Sequence, residues 1–86
     1  TSTITGVLKD ASGAAIPNTP LTVTNLDSGV AVPARSNEAG LYRVSGLIPG
    51  SYKIEVEAQG FQKLVRSGIT LQISQTLQVD LALQVG

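Results

Sequence analysis

The sequence predicts an all-β domain of seven short antiparallel strands folded as a β-sandwich. Three observations carry this. Tyr52, Ile54, Val56 and Ala58 alternate with Ser51, Lys53, Glu55 and Glu57, and Leu77, Val79, Leu81, Leu83 and Val85 alternate with Thr76, Gln78, Asp80, Ala82 and Gln84. Such a period of two marks half-buried strands. Turn-forming Gly, Pro and Asx residues recur at about 8–12-residue spacing, as sandwiches require. No window of ten or more residues has the i, i+3, i+4 apolar pattern with caps, so no substantial helix is expected.

The elements follow in order. Ser2–Lys9 is the first strand, with Ile4, Gly6 and Leu8 on one face and Thr3, Thr5, Val7 and Lys9 on the other. Gly6 within it signals a close approach by another backbone or a bulge. Asp10–Gly13 is a turn, and Ala14–Pro20 a loop anchored by Ile16. Leu21–Leu26 and Val30–Ser36 are the second and third strands, joined by Asp27-Ser28-Gly29. Pro33 confines the third to a sheet edge or a bulge. Asn37–Gly40 turns into a short fourth strand, Leu41–Val44. Leu47-Ile48-Pro49-Gly50 then breaks the ladder, since proline lacks an N–H and glycine permits a reversal. The fifth strand runs to Ala58. Phe61–Ile73 is a bulged or broken sixth: Phe61, Val65, Ile69, Leu71 and Ile73 agree on one face, Leu64 dissents, and Ser67-Gly68 interrupts. Thr76–Val85 is the seventh.

Eighty-six residues, 42% apolar and 14% charged, suit one globular domain, burying roughly 60–65% of its unfolded surface. Six basic and six acidic side chains cancel, which removes the electrostatic case for nucleic acid or an anionic membrane. Histidine and cysteine are absent. That excludes disulfides, thiolate nucleophiles and the commonest general base and metal ligand. No apolar run reaches the roughly 18–20 residues of a membrane span. With Thr1 in place of a start methionine, residues 1–86 are read as a single domain excised from a longer protein.

Several motifs in sequence resemble a known family. Ile4–Gly13 followed by Ile16–Asn25 is similar to the opening of a carboxypeptidase regulatory-like domain. Asn37-Glu38-Ala39-Gly40-Leu41-Tyr42, then Leu47-Ile48-Pro49-Gly50-Ser51-Tyr52, resembles its turn–strand core, and Glu57–Phe61 its later part. Gly68–Leu71 and Gln75–Leu81 resemble the version found at the N-terminus of TonB-dependent outer-membrane receptors. The resemblance implies a transthyretin-like (prealbumin-like) Greek-key sandwich, related to Cna-B repeats, without catalysis or cofactor, in an extracytoplasmic protein.

Five kinds of site are conceivable on these residues. Glu55 and Glu57 share a face, but beside Lys53 they read as a solvated strand rather than an acid–base pair. An internal isopeptide bond, known in Cna-B repeats, would join Lys9 to Asp80 with Glu55 assisting. Strand parity puts all three outward, whereas that chemistry needs them buried together, and the reactive lysine position aligns closer to Thr5. Asp10, Asp27, Asn37 and Glu38 lie in turns and could offer oxygens to calcium, yet Asx residues in turns serve the backbone. Phe61, Tyr42 and Tyr52 fall on core faces and form no platform for a glycan. Val7, Leu41 and Leu64 are the apolar residues left on nominally outward faces, and they form the candidate docking surface.

The expected function is therefore a non-catalytic accessory or interaction module, monomeric in isolation, of a secreted or outer-membrane protein. Its partners would be other domains of the parent chain or another protein. The alternatives are an adhesin-like stalk repeat of a cell-surface protein and, more remotely, a carbohydrate-binding module.

Overall fold

A computed structural model describes residues 1–86. Eight strands follow one another: β1 (Ser2–Asp10), β2 (Pro20–Asn25), β3 (Ala31–Arg35), β4 (Leu41–Leu47), β5 (Gly50–Val56), β6 (Leu64–Leu71), β7 (Thr76–Gln78) and β8 (Leu81–Leu83). They form two four-stranded sheets. In the first, β1 is central, antiparallel to β4 on one side and parallel to β7 and then β8 on the other. The second is antiparallel throughout, in the order β3-β2-β5-β6. No helix long and apolar enough to cross a membrane is present.

Alternation on each strand turns one face of each sheet inward. Ile4, Leu8, Tyr42, Val44, Leu81 and Leu83 from the first sheet and Leu21, Val23, Tyr52, Ile54, Val56 and Leu71 from the second belong to one core cluster of 16 buried residues. Ile16, the apolar residue of the first loop, joins it, while Ser36 Oγ donates to Ile16 O and accepts from Thr19 N at 2.9 Å each.

There are eight strands, not the seven the sequence predicts, because Thr76–Val85 is interrupted at Val79–Asp80. The register does not slip: Thr3 stands opposite Thr76 and Leu8 opposite Leu81. In a parallel ladder with Thr3 N bonded to Gln75 O, the N–H of Val7 would reach the carbonyl of Val79. Instead the Tyr42 hydroxyl donates to Val79 O, and Val7 N turns to Asp80 Oδ1 at 3.2 Å. Gly6 makes room for this. A Cβ at that position would overlap the Val79 carbonyl oxygen, so the close backbone approach signalled by this glycine is present.

The sixth segment is one strand with a bulge. Tyr52 pairs with Ile69 and Ile54 with Arg66, so two residues, Ser67 and Gly68, oppose Lys53 alone. Gly68 takes φ +75°, where a side chain would be strained. An extra residue reverses which side chains face inward. Ile69 and Leu71 are buried beyond the bulge as expected, but before it Leu64 packs against the core and Val65 is exposed. The inward assignment of Val65 is therefore corrected. Ile73 and Val85, also assigned inward, lie beyond the ends of their strands and are exposed.

Each crossing places the turns at one of two ends. The β2–β3, β4–β5 and β6–β7 turns lie at the end where β1 begins. The β1–β2, β3–β4 and β5–β6 connections lie at the other, with the last residues. There Val85 pairs with Phe61, and Gln62 N donates to Gln84 O at 2.7 Å.

Candidate interaction surfaces

Glu55 and Glu57 project from the outer face of the second sheet. Lys53 Nζ lies 3.0 Å from Glu55, and Lys63 Nζ lies 3.3 Å from Glu55 and 3.5 Å from Glu57. Lys53 and then Lys63 hold the Glu55 carboxyl below its ordinary value, and Glu55 in turn raises Lys63. A general acid needs its pKa raised, so this cluster is built the wrong way for that task. It lines a shallow hollow with Pro20 and Thr22 and makes a wetted, charge-compensated face.

The three residues of the isopeptide candidate are apart. Lys9 is exposed on β1, Glu55 belongs to the other sheet, and the Asp80 carboxylate is engaged by Val7 N and by Gln78 Nε2 at 3.2–3.3 Å. The hydroxyl of Thr5 donates to Tyr42 O. The turn oxygens serve the backbone. Asp10 Oδ1 accepts from Ser12 N, Ser12 Oγ and Ala14 N, and these bonds, led by the Ser12 hydroxyl, lower its pKa. Asn37 Oδ1 accepts from Ala39 N and Leu41 N. Asp27 sits at the opposite end from Asp10, Asn37 and Glu38. No group of three or more His, Cys, Asp or Glu side chains that could hold a metal ion is present.

Tyr42 and Tyr52 are core residues, and Phe61 packs against the core half-buried. Tyr52 Oη donates to Ile48 O at 2.6 Å, the rim backbone partner its position calls for. Burial, with the Asp80 charge nearby, pushes the Tyr42 phenol far above its ordinary pKa. It remains a neutral donor at any physiological pH.

Of the docking candidates, Val7 and Leu41 are directly opposed on the β1–β4 ladder, Leu41 half-exposed and Val7 less so. Leu64 lies on the other sheet, opposite Val56 and against the core. The structure thus brings two of the three together. Leu26, Val30, Ile48 and Ile73, all strongly exposed, are apolar positions that strand parity did not single out as surface. The signal was there in part, because Leu26 and Val30 flank a polar Asp-Ser-Gly turn and Ile48 precedes Pro49.

The family model of the carboxypeptidase regulatory-like domain matches residues 3–84. No curated protein matches the sequence. Solved structures do. The Bacillus anthracis TIE protein aligns at 13% identity with a TM-score of 0.79, over 96% of this chain and 16% of that one. Chlorocatechol 1,2-dioxygenase from Pseudomonas putida aligns at 11% identity and TM-score 0.75, over 96% of this chain and 59% of that one. The minor pilin of Streptococcus agalactiae aligns at 15% identity and TM-score 0.73, over 98% of this chain and 44% of that one. This chain therefore spans less than two thirds of each. At such identities the likeness concerns the fold alone, and an enzyme and a pilin sharing it illustrate that fold does not fix function.

Proposed function

The chain belongs to the family of carboxypeptidase regulatory-like domains, and from that membership we propose that it serves at the N-terminal side of a TonB-dependent outer-membrane receptor. It is a non-catalytic all-β accessory module; the receptor context and the extracytoplasmic location are the further step. The observation that carries the reading is the family match over residues 3–84, which leaves almost none of the chain for another activity. Strand order favours the Greek-key, transthyretin-like sandwich of that family, once β7 and β8 are counted as one interrupted strand. A module of this kind contributes a rigid body with no net charge and an outer face on which Val7 and Leu41 stand side by side. That face is the proposed contact for a neighbouring domain.

Reading the parent transcript on both sides of this segment tests the proposal. A signal peptide upstream, with a plug and many alternating ten-residue strands downstream, is the expected result. A solitary cytosolic reading frame would overturn it. The second reading, a stalk repeat of a surface protein, is favoured by the likeness to a minor pilin. Tandem copies of the Asn-x-x-Gly…Pro-Gly-x-Tyr pattern with a wall anchor would establish it instead.

A further inference from the structure

The first strand and the last are neighbours that run the same way. β1 pairs in parallel with β7 at Thr3–Thr5 and with β8 at Leu8–Asp10. β1 begins at one end of the molecule, and β8 finishes at the other. Nine residues at about 3.3 Å each make β1 roughly 30 Å long, close to the full 34 Å of the body. Tension between the two ends therefore pulls β1 and β8 in opposite directions along their own axes. Bonds across such a ladder share the load, whereas strands peeled apart from one end break theirs one at a time.

We propose that the domain is a load-bearing link, in which β1 is held in shear against β7 and β8 and the Tyr42 phenol locks its register. The inference rests on the reading of the chain as a module of a longer polypeptide, and gives that module the task of transmitting tension. The strand under load is central, with β4 on its other side, so both ladders must slide together. Its start is anchored, since Ser2 is buried and its hydroxyl donates to Gln72 O. Bonds to the last segment follow along its length: Thr3 N donates to Gln75 O at 2.9 Å, Val79 N to Thr5 O at 2.7 Å, and Val7 N to Asp80 Oδ1 at 3.2 Å. The second sheet shares no ladder with this path.

The register lock lies at Gly6. The Val79 carbonyl oxygen and the Tyr42 hydroxyl that bonds it crowd the place where a Cβ of residue 6 would stand. An axial pull on the start of β1 draws higher-numbered residues toward that place. A slip of one residue brings Val7 there with every side chain reversed. A slip of two restores the alternation but brings Leu8, the next fully buried side chain on that face. Either side chain overlaps the Val79 oxygen. β1 therefore cannot step along its neighbours and re-form its bonds in a new register until Tyr42 and the Val79 backbone have separated. Only a glycine at this point of the strand, met by a tyrosine from the opposite side, makes the native register the single one that fits.

The test is single-molecule force spectroscopy of the 86-residue domain in two geometries. In the first, handles are joined through the two chain ends. In the second, one handle enters through the first residue and the other through Ser45→Cys. The chain has no native cysteine, and Ser45 is exposed on β4 at the end where β1 begins, so this pull unzips β1 from β4. Axial pulling is expected to need a severalfold higher force at the same loading rate. Under constant axial load, the lifetime of Tyr42→Phe should be shorter by about tenfold or more, because the lost bond belongs to the strand that carries the load. Asn25→Ala, at the β2–β3 turn outside the load path, should lower the Tm yet leave the axial lifetime within about twofold of native. Equal forces in the two geometries would overturn the inference. So would an Asn25→Ala lifetime shortened as much as that of Tyr42→Phe, since unfolding under load would then follow global stability. The domain alone is pulled, so the outcome is independent of the receptor context that the parent transcript tests.

Discussion

Gly6 and Tyr42 face each other across the β1–β4 ladder, and the tyrosine crosses the glycine to place its hydroxyl on the carbonyl of Val79 beyond it. The bare α-carbon is what lets β4 reach over β1 to the next strand. A Cβ at Gly6 would meet both the Val79 backbone and, at 2.9 Å, the Tyr42 hydroxyl. Gly6→Ala should therefore cost about 3 kcal/mol or more through overpacking. Tyr42→Phe should cost about 1–3 kcal/mol by leaving the Val79 carbonyl unpaired. Chemical denaturation of the two variants checks both figures, and a neutral Gly6→Ala would show that the strands can part without penalty.

The same hydroxyl makes the fold sensitive to alkali. Burial raises the folded-state pKa of Tyr42 above its ordinary value near 10. Stability from this group is complete below that unfolded-state value and is lost as pH climbs beyond it toward the folded pKa. Thermal midpoints should fall above about pH 10 in the native protein and fall less steeply in Tyr42→Phe. Parallel decline of the two would assign the loss to other groups.

Asp80 compensates for what Tyr42 takes away. Its carboxylate stands in for the carbonyl that Val7 N would otherwise meet. Asp80→Ala should cost about 1 kcal/mol, and Asp80→Asn, which keeps an acceptor oxygen, less. A double-mutant cycle between Asp80→Ala and Tyr42→Phe should show coupling of about 0.5 kcal/mol or more. Additive effects would mean that the two bonds form independently.

These contacts also mark where the sequence stops being legible. Alternation located most of the strands because each turns one face toward the core, and a period of two holds wherever the ladder has no bulge or break. Gly6 could be read as a close approach, but not what approaches. The Val79–Asp80 break was invisible because Leu77, Val79 and Leu81 keep one parity through it. The interruption lies in the hydrogen bonds, imposed by a tyrosine 37 residues away. Ser67-Gly68 announced an irregularity, yet only the pairing shows that one extra residue turns Leu64 in and Val65 out. The placement of the three outward apolar residues has the same cause. Val7 and Leu41 depend on simple parity in regular strands, while Leu64 precedes the bulge.

Asn25 closes the β2–β3 turn from beneath. Its buried side-chain oxygen accepts from Asp27 N at 2.8 Å and Ser28 N at 2.9 Å, shaping the turn that presents Leu26 and Val30. Asn25→Ala should cost about 1–2 kcal/mol, since two donors lose one acceptor in a partly dehydrated turn. That corresponds to a Tm lower by several degrees in a domain of this size. Asn25→Asp, which retains the acceptor, should recover part of it. Equal losses in the two variants would show that the amide matters for packing rather than for its oxygen.

The charged face of the second sheet should prove dispensable for folding. Glu55 joins Lys53 and Lys63 in the most connected ion-pair cluster of the chain, but water reaches all three, and exposed pairs exchange solvation for attraction almost evenly. The lowered pKa of Glu55 gives the sign of its effect: present at neutral pH, lost as pH falls through the folded-state value. Because water reaches the carboxylate, that effect should be too small to see against the rest of the acid transition. Glu55→Gln is expected to leave the Tm at neutral pH within measurement error, at low and at high salt alike. A clear drop that salt abolishes would mean that the cluster, rather than the core beneath it, keeps β6 against β5. In that case the bulge at Ser67–Gly68 would be the weak point the ions protect.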